Sequence, residues 1–270
     1  MFQQRAKKLT LYKRRQFLLE LLRNQPGLRV PELARSVAVS EGTIRNDLNA
    51  LEVLGRLNRV HGGAVLKEQE QFPAGSFYNR YQTNAWAKIA ITRKAAERVL
   101  DGDSILLDAS STAYYLAKAI VGKQKLRVIT NGFEVARELA QNLSNTVILI
   151  GGVVNHERLS VTGLLSEQIM TELHVDKAFV SCSGFSLDRG MTEVNLSDGQ
   201  LKRKALESVY QVIALIDSSK FGKEGLTPFA RPSQITHLIT DAGLTSEWIE
   251  KLTQAGIGFT ICEGEAVPTK

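Results

Sequence analysis

The run Ser40-Glu-Gly-Thr-Ile-Arg-Asn-Asp-Leu48, continuing through Leu51 and Leu54, constrains the fold more than any other stretch. Ser40 suits a helix N-cap, because its hydroxyl can accept a bond from the free amide of Thr43. Ile44, Leu48 and Leu51 recur at i, i+4 and i+7, which predicts a helix with one apolar stripe. The opposite face carries Glu41, Gly42, Arg45, Asn46 and Asn49. Arg and Asn can bond guanine and adenine edges bidentately in a major groove. A helix apolar behind and Arg/Asn-bearing in front reads as a recognition helix. A solvated amphipathic helix would show the same pattern, so the flanks have to separate the two.

They do. Upstream, Phe17, Leu18, Leu21 and Leu22 give Arg14–Leu22 an apolar side, and Pro26-Gly27 stops it. A second short helix follows with Pro31 at its start, an allowed first-turn position, and Leu33, Ala34 and Val37 on its buried side. A turn at Ala38 and Val39 leads into Ser40. Downstream of Gly55, the segments Arg56–Val60 and Ala64–Leu66 flank His61-Gly62-Gly63, which predicts a hairpin. Three helices and a basic hairpin make a winged helix-turn-helix. The expected DNA-contacting set is Arg14, Ser40, Glu41, Gly42, Thr43, Arg45, Asn46 and Asn49, with Arg56, Arg59 and His61 on the wing.

Charge follows the same division. Residues 1–70 hold 13 of the 34 Lys/Arg and 7 of the 28 Asp/Glu, so the remainder holds 21 of each. The whole formal net charge of +6 therefore sits in the first quarter of the chain. A basic module joined to a neutral one is the electrostatic footprint of nucleic-acid binding. A basic amphipathic segment could meet a membrane instead, but compact core stripes and a wing favour double-stranded DNA.

These residues resemble the DeoR family of bacterial regulators, the deoxyribose-operon and glycerol-3-phosphate repressor type. The resemblance rests on SEGTIRNDL and GRLNRVHGGAVL, and continues through most of the chain. Asn46 departs from it, since the family commonly has a second basic residue there.

At 270 residues the chain has room for a DNA-binding module and a core of ordinary size. No apolar run of about 18 residues could span a membrane, and the first residues lack the apolar core of a signal peptide. A cytoplasmic protein with no membrane partner is expected. Cys182 and Cys262 are too few and too far apart for a disulfide scaffold or zinc site. His61, His156, His174 and His237 show no ligand spacing, so neither metal nor cofactor is expected.

The expected organisation is a winged helix-turn-helix over 1–68, a polar linker over 69–85, and an α/β domain over 86–270. From Trp86 the pattern alternates. Helices are predicted over Ala87–Leu100, Ala113–Ile120, Glu134–Gln141, Leu164–Leu173 and Leu201–Tyr210. Strand-like runs are predicted at Ser104–Leu107, Leu126–Ile129, Val147–Ile150, Lys177–Val180, Val212–Ile216 and Thr236–Ile239. Such alternation implies a mainly parallel sheet covered on both faces, with ligands beyond the carboxyl ends of its strands.

Those strand ends carry Asp108-Ala-Ser-Ser-Thr112, Thr130-Asn131-Gly132, Gly151-Gly152, Ser181-Cys-Ser-Gly184 and Asp217-Ser-Ser-Lys220. A Gly or Ser after a strand is usually only a turn; five such ends on one sheet edge carry more weight. Ser110, Ser111 and Thr112 before a helix can offer donors to an anion, with Lys220 as a point charge. Asp108 and Asn131 remain for sugar hydroxyls.

The resemblance extends to this half through the Asp108 loop, TNG at 130–132, GG at 151–152, DKAF at 176–179, DSSKFG at 217–222 and TDAGL at 240–244. It implies a fold similar to ribose-5-phosphate isomerase and the CoA-transferase group, a phosphorylated-sugar effector, and a homodimer or homotetramer. Gly132, Gly151, Gly152, Gly184, Arg203 and Lys204 join the expected effector set. Ser110 and Ser181 stand where the family usually has Gly, and Asp198-Gly199 precedes Lys202-Arg-Lys-Ala205 where it tends to have Glu and then Lys-Arg-Ala. For the basic run, a solvated helix face explains the residues as well as effector contact does.

Two functions are compatible with this layout: a regulator, typically a repressor of a sugar operon, or a sugar-phosphate isomerase with a DNA-binding extension. An isomerase needs a poised carboxylate base. The segment SCSGFS after the fourth strand offers none, and Asp188 and Glu193 lie beyond it. No catalytic residue is therefore expected.

Overall fold

The computed structural model describes residues 11–25, 27–60, 62–66, 73 and 75–263. The chain forms two compact units, one up to residue 72 and one over Pro73–Glu263.

The first unit contains α1 (Leu11–Asn24), α2 (Val30–Val37), α3 (Glu41–Val53), β1 (Leu57–Val60) and β2 (Gly63–Leu66). Leu18, Leu33, Ile44, Leu48, Leu51 and Leu57 are fully buried and form its core. The turn between α2 and α3 places Ala38 in the left-handed region, with φ +55°. The antiparallel register Leu57↔Leu66 to Val60↔Gly63 makes the hairpin. Gly63 also bridges to Arg29, where a Cβ would meet the Leu28 carbonyl oxygen at 2.8 Å. The hairpin is thereby fastened to the start of α2.

The second unit opens with α4 (Phe77–Gln82), inside the stretch expected as linker, and α5 (Ala85–Ala96). Phe77 is buried against Tyr114, with ring centroids 5.7 Å apart, and Tyr81 stacks on Tyr115 at 4.8 Å. These aromatics explain why a polar-looking segment folds onto the core of the second unit. There follow β3 (Ser104–Leu107), α6 (Ser111–Ile120), β4 (Arg127–Thr130), α7 (Phe133–Leu139), β5 (Thr146–Leu149), β6 (Val153–Asn155), β7 (Ser160–Thr162) and α8 (Leu164–Glu172). The unit finishes with β8 (Val175–Val180), β9 (Gly184–Ser186), β10 (Gly190–Glu193), α9 (Leu196–Leu206), β11 (Val209–Leu215), β12 (Thr227–Ala230), β13 (His237–Asp241), α10 (Ser246–Gln254) and β14 (Phe259–Cys262).

Seven strands form one parallel sheet in the order β14-β13-β11-β8-β3-β4-β5. Alternate residues of each strand serve opposite faces. Ile105, Leu107, Val128 and Phe179 join the core beneath α5, α6 and α7, whereas Leu106, Ile129, Ala178 and Val180 join the core beneath α8, α9 and α10.

The differences from expectation have local causes. The helix expected from Leu201 to Tyr210 starts at Leu196, because Asn195 caps it through the Asp198 amide at 3.1 Å. It stops before Val209 and Tyr210, which begin β11 beside Val175. Helix α5 ends at Ala96 rather than Leu100, and its buried side is Ala87, Ile91 and Ala95. The antiparallel strands β9, β10 and β12, the strand β14 and the helix α10 were not foreseen.

Candidate DNA-reading face and anion pocket

On α3, Ser40 Oγ accepts from the Thr43 amide at 3.1 Å and lies 2.8 Å from the Thr43 hydroxyl. Gly42, Arg45, Asn46 and Asn49 are exposed on the side opposite Ile44, Leu48 and Leu51. Arg45 donates to Glu41 at 2.7 Å, an exposed i,i+4 pair that a stronger acceptor can displace. The wing is held to this helix: the Arg59 amide donates to Glu52 Oε1 at 2.7 Å, and its guanidinium donates to Asn49 Oδ1. Arg56 is half-buried beside the wing. His61 lies outside the described residues.

Arg14 is an ion-pair partner within its own unit. Its Nε donates to Asp47 Oδ2 at 2.5 Å, and Arg15 Nε donates to Oδ1 at 2.6 Å. Asp47 is buried, so Arg14 helps neutralise a carboxylate inside the helical core. The two arginines bind α1 to α3 and fix the recognition helix on its scaffold.

In the second unit, a cavity of about 180 Å³ opens beyond the carboxyl ends of β3, β8 and β11. One wall is the N-terminus of α6, with Ser110, Ser111 and Thr112. Ser110 Oγ caps the helix by accepting from the Ala113 amide at 3.0 Å, leaving its O–H free to donate. Among the described residues the amides of Ser111 and Thr112 have no hydrogen-bond partner. Lys220 reaches the same cavity from a 3-10 turn over Ser218–Lys220, and its ammonium has no partner among the described residues. Asp217 Oδ1 accepts from Asn84 Nδ2 at 2.9 Å and from the Ser219 amide at 3.2 Å. Its Oδ2 has no partner among the described residues and is free to accept.

The opposite wall comes from α4 and the start of α5: Asn79, Arg80, Thr83, Asn84 and Lys88. Buried Lys88 is held by the carbonyls of Arg80 and Thr83, the latter at 2.6 Å. Burial, and then the neighbouring Arg158, lower the Arg80 pKa to about 10, so the group stays charged at neutral pH. Arg80 also lines a second, water-sized chamber with Asn131, Arg158, Asp198 and Lys202.

A buried ionic network lies beneath. Lys202 Nζ is 2.7 Å from Asp108 Oδ2 and 2.6 Å from Glu193 Oε1, and donates to the Ser181 carbonyl at 2.8 Å. Arg158 links Glu193, at 3.4 Å, to Asp198. Burial would raise the Glu193 carboxyl, but Lys202, Ser183 and Arg158 outweigh it and hold it below the usual range. Burial opposes the charge on Lys202, yet Asp108 and Glu193 hold its pKa above the usual value. Burial pushes the Cys182 thiol well up, which makes it unreactive.

Several expected effector residues lie elsewhere or do other work. Asp108 is buried, with Oδ1 accepting from the Ser110 amide and Oδ2 from the Ser181 amide and Lys202, and it anchors the strand ends. Asn131 Nδ2 donates to the Val161 carbonyl at 3.1 Å. Gly132 allows close packing, because a Cβ would lie 2.9 Å from Ala109 Cα. Gly151 and Gly152 lie outside the cavity: the Gly151 carbonyl accepts from Ser166, and a Cβ on Gly152 would meet the Thr162 carbonyl at 2.5 Å. Gly184 packs against the Lys223 carbonyl carbon, 2.6 Å from a Cβ. Arg203 donates to the Pro228 carbonyl and Lys204 pairs with Glu207, both on the exposed side of α9. Lys202, not its two basic neighbours, faces inward. Arg80, Asn84, Lys88, Glu193 and Asp217 were missing from the expected set, although the DSSK motif at 217–220 marked the last.

Among the described residues, no cluster of His, Cys, Asp and Glu could hold a metal ion, and no helix is long and apolar enough to cross a membrane. Residues 14–70 match the family model of the DeoR-like helix-turn-helix domain, and residues 83–242 match that of the DeoR C terminal sensor domain. The HTH-type transcriptional regulator GolR of Listeria innocua is 38% identical over 253 residues, covering 93% of this chain and 99% of its own length. The lactose phosphotransferase system repressor of Streptococcus mutans is 36% identical over 226 residues, covering 83% and 89%. Among solved structures, ribose 5-phosphate isomerase A of Methanocaldococcus jannaschii is similar at 16% identity and TM-score 0.39, covering 52% of this chain and 55% of that one.

Proposed function

Because the chain belongs to the DeoR family of transcriptional regulators, we propose that it represses a sugar-metabolism operon and that a phosphorylated sugar sets its operator affinity. It is a regulator, not an enzyme. Glu193, one of the two carboxylates beyond the end of β8, is tied to Lys202, Ser183 and Arg158 and is poorly placed as a proton acceptor.

In this reading the unit over residues 1–68 reads DNA and residues 73–263 sense the effector, with α4 belonging to the sensor. Arg45, Asn46 and Asn49 face base edges. Ser40, Gly42 and Thr43 present the helix N-terminus to phosphate, Glu41 orients Arg45, and Arg56, Arg59 and His61 lie along the backbone. The protein works as a homodimer or homotetramer in the cytoplasm, where its DNA is.

The observation that carries the effector assignment is the cavity at the α6 N-terminus. It combines open helix amides and hydroxyl donors with the Lys220 ammonium and Asp217 Oδ2, neither of which has a partner among the described residues. Donors and a cation suit a phosphate, and the carboxylate suits a sugar hydroxyl. Calorimetric titration with a panel of aldose and ketose phosphates and the corresponding free sugars tests it. A phosphate ester should bind, its free sugar should not, and Lys220→Ala should weaken binding by roughly tenfold or more, the range of a charged hydrogen bond. Equal binding of free sugars and phosphates would remove phosphate recognition from this cavity.

A further inference from the structure

β5 is the outer strand of the seven-stranded sheet, paired only with β4 among the described residues. Proteins usually blunt such an edge with charge, proline or a bulge. From Leu139 to Asn155 this chain has no Asp, Glu, Lys, Arg or Pro. Ile148 and Leu149 are each 39% exposed, and Val153 and Val154 of β6 are 70% and 59% exposed. Helix α8 adds Leu165 and Ile169, with Glu167 half-exposed in its first turn and Glu172 exposed at its end. β6 and α8 adjoin where the chain leaves β5: Ser166 Oγ donates to the Gly151 carbonyl at 2.7 Å, and Val153 packs against Gly163. Contiguous apolar patches of this kind mark interaction sites.

The lack of charge from residue 139 to 155 indicates the occupant. A two-fold interface sets a patch against its own copy, so a charge near the axis meets the same charge. A foreign partner imposes no such condition. We propose that β5, β6 and the exposed side of α8 form the face through which two copies of this chain associate. The proposal rests on the oligomeric regulator described above, whose paired recognition helices must reach half-sites about 34 Å apart or a multiple of that spacing.

Sedimentation velocity of the full chain tests it with Val154→Lys, Leu165→Lys and, as a control, Tyr210→Lys. Tyr210 is 87% exposed on β11, with β8, β3 and β4 between it and β5. The unmodified protein and the control should sediment as dimers or larger, and the first two variants should lose roughly a hundredfold or more in association. Circular dichroism establishes that each variant is folded. Should one unfold, hydrogen exchange in the unmodified protein decides: protection of residues 146–155 should rise with protein concentration. Association unaffected by the lysines, or protection independent of concentration, overturns this face. A monomeric unmodified protein would overturn the oligomeric reading itself.

Discussion

The two units place their charged side chains in opposite ways. In the DNA-reading unit, Arg45, Asn46 and Asn49 stand on the exposed side of α3, and the buried carboxylate Asp47 is neutralised locally by Arg14 and Arg15. In the sensor unit the charges turn inward: Asp108, Glu193, Asp198 and Lys202 are buried, drawn from β3, β10 and α9, with Arg158 reaching in from the β6–β7 turn. Outward charge can be exchanged for a partner at little cost, because water screens it before and after. Inward charge must be balanced at every moment, since desolvation of a buried ion costs several kcal/mol unless it is paired. One arrangement serves long-range attraction to a polyanion; the other holds a pocket in shape until a ligand adds its own charge.

Ionic strength should divide the units most sharply. If six to ten phosphates are contacted, operator affinity should fall by about a thousandfold or more between about 50 and 200 mM salt. Sugar-phosphate affinity at the sensor, set by close contacts, should fall far less. Fluorescence anisotropy and calorimetry across the same salt series compare them, and parallel slopes would break the distinction.

Lys202→Met should come next in size. It leaves Asp108 and Glu193 without their shared cation, and breaking a buried pair typically costs about 3–5 kcal/mol. Urea unfolding should show the loss, while the core of the first unit, which contains none of these residues, keeps its own packing. A change below about 1 kcal/mol would mean that the network is solvated like a surface pair.

Arg45→Ala should be smaller and confined to binding. Its loss should cost roughly 1–3 kcal/mol on the operator and little on random DNA. Equal losses on both would mean that Arg45 meets phosphate and that α3 lies differently in the groove. Stability should hardly change, since the Arg45–Glu41 pair is exposed.

The same division governs what was legible in the sequence. A helix facing solvent has its spacing written in consecutive residues, so Gly42, Arg45, Asn46 and Asn49 could be placed on one face from periodicity alone. The core strands of the parallel sheet were legible as short apolar runs between helices. The pocket was legible only where strand ends supplied it, at Ser110–Thr112, Ser181–Ser183, Asp217 and Lys220. Its far wall, Arg80, Asn84 and Lys88, depends on α4 folding back through Phe77 and Tyr81 onto α6, which no local pattern announces. Asp108 and Lys202 meet across 94 positions of sequence and 2.7 Å of space, and only the fold shows that one answers the other. Glycine was misleading for a related reason. Gly132, Gly152 and Gly184 look like phosphate turns, yet each is required because another chain segment lies where a Cβ would go.

In the proposed mechanism the anion pocket of one unit sets the DNA affinity of the other. An effector can do this only through different affinities for the DNA-bound and DNA-free states. The most direct measurement is an operator titration with DNA fragments captured by the purified protein, repeated with each sugar phosphate that binds and with Lys220→Ala. At least one phosphate should shift operator affinity of the unmodified protein by about 5- to 150-fold, the usual span of allosteric coupling. Lys220→Ala should match the unmodified protein without effector and fail to respond at the same effector concentration. If every bound sugar phosphate left operator affinity unchanged, or if Lys220→Ala responded like the unmodified protein, the pocket would not be the switch.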